Sequence, residues 1–111
     1  MIEITEQEIM RNWKGDINTP LVSICTITYN HEKYIEEALD SFLMQKTDFP
    51  FEIVVDDDCS QDKTAEVIKR YIEKFPNIMN VNFREKNVGM MVNITENMQK
   101  AKGEYNDLCE R

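Results

Sequence analysis

The chain has 111 residues, enough for one domain with its own core, and 41% of them are apolar, as in ordinary globular proteins. Its formal net charge of −8 disfavours nonspecific binding to nucleic acid or to an anionic membrane surface, because phosphates are repelled. Three widely spaced cysteines and a single histidine form no Cys/His cluster, which argues against a structural zinc site.

Residues 1–19 form a polar lead-in whose apolar residues have partly helical spacing, which predicts a short helix packed on the surface of the domain. The first residues carry acidic side chains and no long apolar run, unlike a signal peptide. Since no run of about 18 apolar residues occurs, no membrane-spanning segment is expected. Cys25 and Cys109 lie in strand-like segments and are expected to be small core residues; reduced thiols fit a cytoplasmic protein.

From Pro20 onward, β-branched apolar segments alternate with segments of helical period. Strands are predicted at residues 21–29, 51–56, 78–83 and 105–109, with helices at 32–46, at 63–75 and between the last two strands. This order, β-α-β-α-β-α-β, predicts an α/β domain with a Rossmann-like parallel sheet. Ser60 or Asp62 is expected to be the N-cap of the second helix, and Gly103 to follow the third as its C′ residue.

Each predicted helix repeats apolar residues at a spacing of three and four. The repeating positions are Ile35, Ala38, Leu39, Phe42 and Leu43 in the first helix; Thr64, Val67, Ile68, Tyr71, Ile72 and Phe75 in the second; and Met91, Ile94, Met98 and Ala101 in the third.

Polar residues gather after the predicted strands, where ligands bind in open parallel sheets. They are Thr28, Tyr29, Asn30 and His31 after the first strand, Asp56, Asp57 and Asp58 after the second, and Arg84, Lys86, Asn87 and Gly89 after the third. No GxGxxG or GxxxxGK[ST] phosphate motif and no Ser/His/Asp or Cys/His nucleophile set is found.

The run of three aspartates has three interpretations. Local turn and cap chemistry explains part of it, particularly at Asp57 and Ser60. A divalent cation site ranks lower, because all three carboxylates come from one loop. Recognition of a base is the third, since a carboxylate accepts a hydrogen bond from the ring N–H of a pyrimidine. The residues alone leave these interpretations open.

The other polar residues also have two interpretations each. Tyr29 is either a packing residue or a flat surface on which a nucleobase stacks. Thr28 and Asn30 can bond a base or ribose. Arg84 is most often a solvated loop charge, as is its neighbour Lys86, although both can offset phosphate charge. His31, a single exposed histidine, is more often incidental than catalytic.

Four segments, in this order and spacing, resemble family 2 glycosyltransferases of the GT-A fold. They are PLVSICTITYNHEKYIEEAL (20–39), FEIVVDDDCSQDKT (51–64), NVGMMVNI (87–94) and AKGEY (101–105). The resemblance runs from about Pro20 to Glu110. It implies a strand order of 3-2-1-4 and makes residues 20–111 the N-terminal nucleotide-binding half of a GT-A domain.

Such enzymes transfer a sugar from a nucleotide-diphosphate donor to an acceptor hydroxyl with inversion, commonly with Mg²⁺ or Mn²⁺. The resemblance implies a UDP-sugar donor and a glycan or lipid-linked acceptor that the sequence does not specify. It implies that Asp58 faces the base and that Asp57 organises the loop. The nucleotide-binding residues that it implies are Thr28, Tyr29, Asn30, Asp57, Asp58, Asn87, Gly89 and Asn93.

The segment after the fourth strand departs from the family. The family carries an Asp-x-Asp-type metal-binding motif there, whereas this chain reads GEYNDLCER, with Asp107 too early and Glu110 before the expected position. No metal ligand and no catalytic residue is therefore predicted in these 111 residues. The chain is expected to be inactive alone, to bind nucleotide weakly, and to self-associate through the exposed edge of strand four.

Two alternatives come from other classes of protein. A noncatalytic nucleotide-binding or interaction module shares every motif. A phosphoreceiver-like signalling domain also alternates strands and helices, but it places its phosphoacceptor aspartate after strand three, where this chain has Phe83 and Arg84.

Overall fold

The computed structural model describes residues 1–103 and the backbone of residues 105–110. Its strands are β1 (Val22–Thr28), β2 (Phe51–Asp57), β3 (Met79–Phe83) and β4 (Tyr105–Glu110), and its helices are α1 (Glu6–Met10), α2 (Ile35–Leu43), α3 (Thr64–Lys74) and α4 (Met90–Gln99). All neighbouring strands are parallel and lie in the order β3-β2-β1-β4. The predicted α/β fold with a parallel sheet is confirmed. None of the described helices combines the length and apolar character needed to cross a bilayer.

The main core lies between the sheet and the helices α2 and α3. Ile24, Ile53 and Val55 alternate along β1 and β2 with residues of the other face, and they pack against both helices. Every predicted position of the apolar face of α2 is buried. The predicted face of α3 is buried too, except that Ile72 is only partly buried.

The buried face of α4 differs from the prediction. Met91 is 71% exposed and Met98 38% exposed, whereas Asn93 and Asn97 are buried. The reason is the polar surface beneath the helix. The Asn97 Nδ2 group donates to backbone carbonyls of β1 and β2 at 3.3 and 3.1 Å and to the Asp56 carboxylate at 2.8 Å. Amides therefore cover this part of the sheet, because they satisfy acceptors that methionines cannot.

Two residues of the lead-in, Glu6 and Ile9, are buried, while its other residues are at least partly exposed. Its predicted short helix is present as α1, and Ile9 in that helix is a buried member of the core. The Glu6 carboxylate is also buried and accepts hydrogen bonds from the backbone N–H groups of Asn77 and Ile78 at 2.8 and 3.0 Å. Residues 1–19 therefore help to hold the connection between α3 and β3.

The predicted helix ends need two corrections. Lys63 occupies the N-cap of α3 without a side-chain hydrogen bond, whereas Asp62, one residue earlier, accepts the Thr64 N–H at 2.9 Å. The hydroxyl of Ser60, the other predicted cap, bonds elsewhere. Gly103 does not end α4, because the C-cap is Lys100.

Gly103 is needed for a close approach to β1. A Cβ at this position would lie 2.6 Å from the Ser23 backbone nitrogen, and the Gly103 N–H donates to the Ser23 hydroxyl at 2.7 Å. That hydroxyl donates to the buried Glu52 carboxylate at 2.6 Å. These contacts hold the segment that precedes β4 against β1.

Candidate functional site

A pocket of about 390 Å³ opens where β1 and β2 end, the place where open parallel sheets bind ligands. It is lined by Ile27, Thr28, Tyr29, His31, Asp58, Asn87, Gly89, Met90 and Asn93. Six of the eight predicted nucleotide-binding residues are among them, namely Thr28, Tyr29, Asp58, Asn87, Gly89 and Asn93. Residues from three separate loops therefore meet at one pocket.

Asp58 joins the end of β2 to the loop before α4. Its carboxylate accepts the backbone N–H of Val88 at 2.8 Å and that of Gly89 at 3.0 Å, and Gly89 has a positive φ of 89°. The Asp58 N–H donates to the Thr28 carbonyl at 2.8 Å. A carboxylate has about four lone-pair positions, so Asp58 keeps acceptor capacity toward the pocket that it lines.

Asp57 does not line the pocket. The Thr28 hydroxyl donates to it at 2.7 Å, and Ser60 donates through its backbone N–H at 3.0 Å and its hydroxyl at 2.6 Å. These bonds tie the loop after β2 to the end of β1. The interpretation of Asp57 and Ser60 as local turn chemistry is confirmed, although neither residue caps α3.

Asn30 also lies outside the pocket lining. Its backbone has a positive φ of 55°, which asparagine tolerates better than most residues. Its N–H donates to the Ser60 hydroxyl at 2.9 Å, and its Oδ1 accepts the Gln61 N–H at 2.7 Å. In this structure Asn30 joins the loops after β1 and β2.

Tyr29 is 45% exposed and presents an aromatic side chain at the pocket. Ile27 and Met90 supply apolar lining that the sequence reasoning missed, and His31, treated there as incidental, lines the pocket as well. A signal for Ile27 existed. It stands two residues before Tyr29, and side chains two apart on a strand share a face.

Asp56, the first of the three aspartates, points beneath α4. It is fully buried, accepts from Asn82 Nδ2 at 3.0 Å, and is paired with Lys100. The Arg84 guanidinium lies 3.7 Å away. The interpretation of Arg84 as a solvated loop charge was wrong, because its side chain is only 10% exposed. Arg84 is not among the residues that line the pocket. Lys86 is exposed, as expected of a solvated loop charge.

The donor set does not fit a metal ion. Within residues 1–103, no group of three or more His, Cys, Asp or Glu side chains is placed to hold one. Asp107 and Glu110 lie outside the residues whose side chains are described, as does Cys109.

Asp62 stabilises the loop behind the pocket. Its carboxylate accepts the Thr64 N–H at 2.9 Å and the Glu32 N–H at 3.2 Å. Burial by itself would raise the pKa of Asp62. The hydrogen bonds from Thr64 and Glu32 outweigh burial and hold this pKa below its ordinary value of 3.8.

Comparison with known proteins gives one family. Residues 23–106 match the model described as glycosyl transferase family 2. An uncharacterized protein of Mycobacterium tuberculosis is 42% identical over 89 residues, which cover 80% of this chain and 26% of that protein. The chain thus spans about a quarter of the length of this curated relative.

Solved structures agree with the family match. Residues 1–349 of TarS from Staphylococcus aureus, also solved with UDP and with UDP-GlcNAc, align with a TM-score of 0.69 at 36% identity, covering 80% of this chain and 26% of that one. The mannosyltransferase PcManGT from Pyrobaculum calidifontis, in complex with GDP-Man and Mn²⁺, aligns with a TM-score of 0.66 at 26% identity, covering 89% and 31%. The predicted GT-A type of α/β fold is confirmed by these likenesses.

Proposed function

Because the chain belongs to glycosyl transferase family 2, we propose that it forms the nucleotide-binding part of an enzyme that transfers a sugar with inversion. The donor is a nucleotide-diphosphate sugar and the acceptor is a hydroxyl group. The observation that carries this proposal is the convergence of Tyr29, Asp58, Asn87 and Gly89 on one pocket. Similar structures hold UDP-GlcNAc or GDP-Man, which supports a nucleotide sugar as the donor.

The pocket has groups suited to a uracil nucleotide. Tyr29 offers an aromatic face for stacking, and the Asp58 carboxylate has lone pairs left for the ring N–H at position 3 of uracil. Thr28, Asn87, Gly89 and Asn93 border the same space and are proposed to contact the ribose and the remainder of the nucleotide. Asn30 and Asp57 act indirectly, by holding the loops.

The divalent metal is proposed for the complete enzyme only. The Mn²⁺ in the PcManGT structure supports its use in the family. Because residues 1–103 contain no ligand set for it, we expect nucleotide binding by this chain to be weak and insensitive to Mg²⁺ or Mn²⁺. We also expect no transferase activity from the chain by itself.

The proposal is tested by titrating the chain with UDP and with CDP, with and without Mn²⁺. Uracil has an N–H at ring position 3, whereas cytosine has a bare acceptor nitrogen there that a carboxylate repels. UDP should therefore bind more tightly than CDP, with a Kd weaker than roughly 10 μM, which is about −7 kcal/mol. Absence of UDP binding, or metal-dependent binding tighter than this limit, would contradict the proposal.

The family match argues against one of the two alternative functions and leaves the other open. Membership of a glycosyltransferase family argues against the phosphoreceiver-like domain, and β3 is followed by the largely buried Arg84 where that fold needs an aspartate. A noncatalytic module would have the same pocket. A transferase assay on a full-length protein that contains this chain separates the enzyme from the module.

We also propose that the isolated chain self-associates through β4. In the described sheet β4 pairs with β1 alone, which leaves its outer edge without a neighbouring strand. Such an edge favours pairing with another chain. Light scattering should give a mass above that of one chain, rising with concentration; a constant monomeric mass would contradict this.

A further inference from the structure

Arg84 lies behind the wall of the pocket, between the end of β2 and α4. We propose that Arg84 is a positioning residue for nucleotide binding, which acts by holding the side-chain amide of Asn93 in one orientation. This inference rests on the proposed function, because it assigns a role to a residue that does not itself line the nucleotide pocket.

The contacts of Asn93 determine its orientation. Arg84 Nε donates to Asn93 Oδ1 at 2.9 Å, and Asn93 Nδ2 donates to the Asp56 backbone carbonyl at 3.1 Å. An amide turned by 180° would set its NH₂ group against the guanidinium and its oxygen against a carbonyl. Asn93 is only 2% exposed, so water does not replace either partner. Both polar atoms of this pocket-lining amide are therefore held by partners within the protein, which fixes its orientation.

Arg84 is itself held at both ends. Its Nη1 donates to Glu96 of α4 at 2.7 Å, and its Nη2 lies 3.7 Å from the fully buried Asp56 carboxylate. The guanidinium thus connects α4 to Asp56 near the end of β2. Asp56 directly precedes Asp57 and Asp58 in the chain. Because Lys100 also pairs with Asp56, this carboxylate keeps one cationic partner when Arg84 is replaced.

The shape of the guanidinium matters as well as its charge. One planar group donates from Nε to Asn93 and from Nη1 to Glu96 at the same time. A lysine ammonium is a point charge on a flexible stem and does not reproduce this fork. Arg84→Lys therefore keeps the charge near Asp56 while it loses the fixed hydrogen bond to Asn93.

The first test compares Arg84→Lys with Glu96→Gln as a matched control. Glu96 is 46% exposed, and its replacement removes the ion pair but leaves the bond from Arg84 to Asn93 in place. In an NMR titration with UDP, Arg84→Lys should weaken binding roughly tenfold, the worth of about one hydrogen bond. Glu96→Gln should change it by less than about twofold. The side-chain amide signal of Asn93 should move in Arg84→Lys only.

A double-mutant comparison separates positioning from a general loss of structure. If Arg84 acts through Asn93, adding Arg84→Lys to Asn93→Ala should not weaken UDP binding further. Additive losses, or an Arg84→Lys variant that binds like the unaltered chain, would overturn the inference while leaving the proposed function intact. Absence of UDP binding by the unaltered chain would overturn both. Thermal melts identify folded variants, and Arg84→Gln replaces Arg84→Lys if the latter does not fold.

Discussion

Each of the three consecutive aspartates accepts hydrogen bonds from a different part of the chain. Asp56 accepts from side chains of β3 and α4, Asp57 from Thr28 and Ser60, and Asp58 from the loop before α4. Successive side chains of a strand point to opposite faces, so Asp56 points toward α4 and Asp57 points away from it. Hydrogen bonds to charged groups contribute about 1.5–3 kcal/mol each, which offsets the mutual repulsion of the carboxylates.

The exposed tyrosines allow a matched test of nucleotide stacking. Tyr29 lines the pocket and is 45% exposed, whereas Tyr34 is 54% exposed and does not line it. Tyr29→Ala should weaken UDP binding by about 1–3 kcal/mol, the usual worth of one stacked base. Tyr34→Ala should leave it unchanged. Calorimetry or an NMR titration measures both, and equal affinities for the two variants would remove Tyr29 from the site.

At the scale of single elements, apolar periodicity predicted α2 and α3 well and the face of α4 wrongly. The helices α2 and α3 form one apolar cluster with Ile24, Ile53 and Val55 of the sheet. Their buried faces are therefore apolar. Beneath α4 lie the buried Asp56 carboxylate and backbone carbonyls of β1 and β2, which accept hydrogen bonds from Asn93 and Asn97. The spacing of apolar residues predicts only apolar helix faces. It does not indicate a face that is buried through asparagine side chains.

The start of α3 gives a prediction about acid stability. The pKa of Asp62 is held below 3.8 in the folded chain, so its contribution to stability is complete above pH ~4. That contribution is lost as the pH falls through the lower folded value. Asp62→Ala should reduce the free energy of unfolding by about 1 kcal/mol at pH 7, because the Thr64 N–H loses its acceptor.

Urea unfolding at several pH values checks this prediction. The difference between Asp62→Ala and the unaltered chain should shrink as the pH falls below ~4, because the charge-dependent part of the stabilisation is lost when the folded carboxylate is protonated. Asp48→Ala is the control, since Asp48 is 68% exposed and its pair with Lys14 is worth little. A difference that stays constant from pH 7 to strongly acidic solution would show that the Asp62 charge has no part in it.

For the whole molecule, the sequence predicted which residues line the pocket better than which residues support it. The carboxyl ends of parallel strands meet at one edge of the sheet, so the sequence alone places Thr28, Tyr29 and Asp58 close together, as the structure has them. Arg84 could not be placed in this way, because whether a charge after a strand faces solvent or the interior depends on distant partners. The lead-in posed the same difficulty, since the partners of Glu6 lie more than 70 residues away.

That long-range contact predicts that residues 1–19 stabilise the entire domain, although the family match begins only at residue 23. Glu6→Ala would leave the buried N–H groups of Asn77 and Ile78 without their acceptor, at a cost of about 2–4 kcal/mol. Glu3→Ala, in the same segment but exposed, should cost less than about 0.5 kcal/mol. Urea unfolding compares the two, and the loss in Glu6→Ala should appear as one cooperative transition at lower denaturant. If both variants unfold like the unaltered chain, the lead-in is only attached to the domain and contributes nothing to its stability.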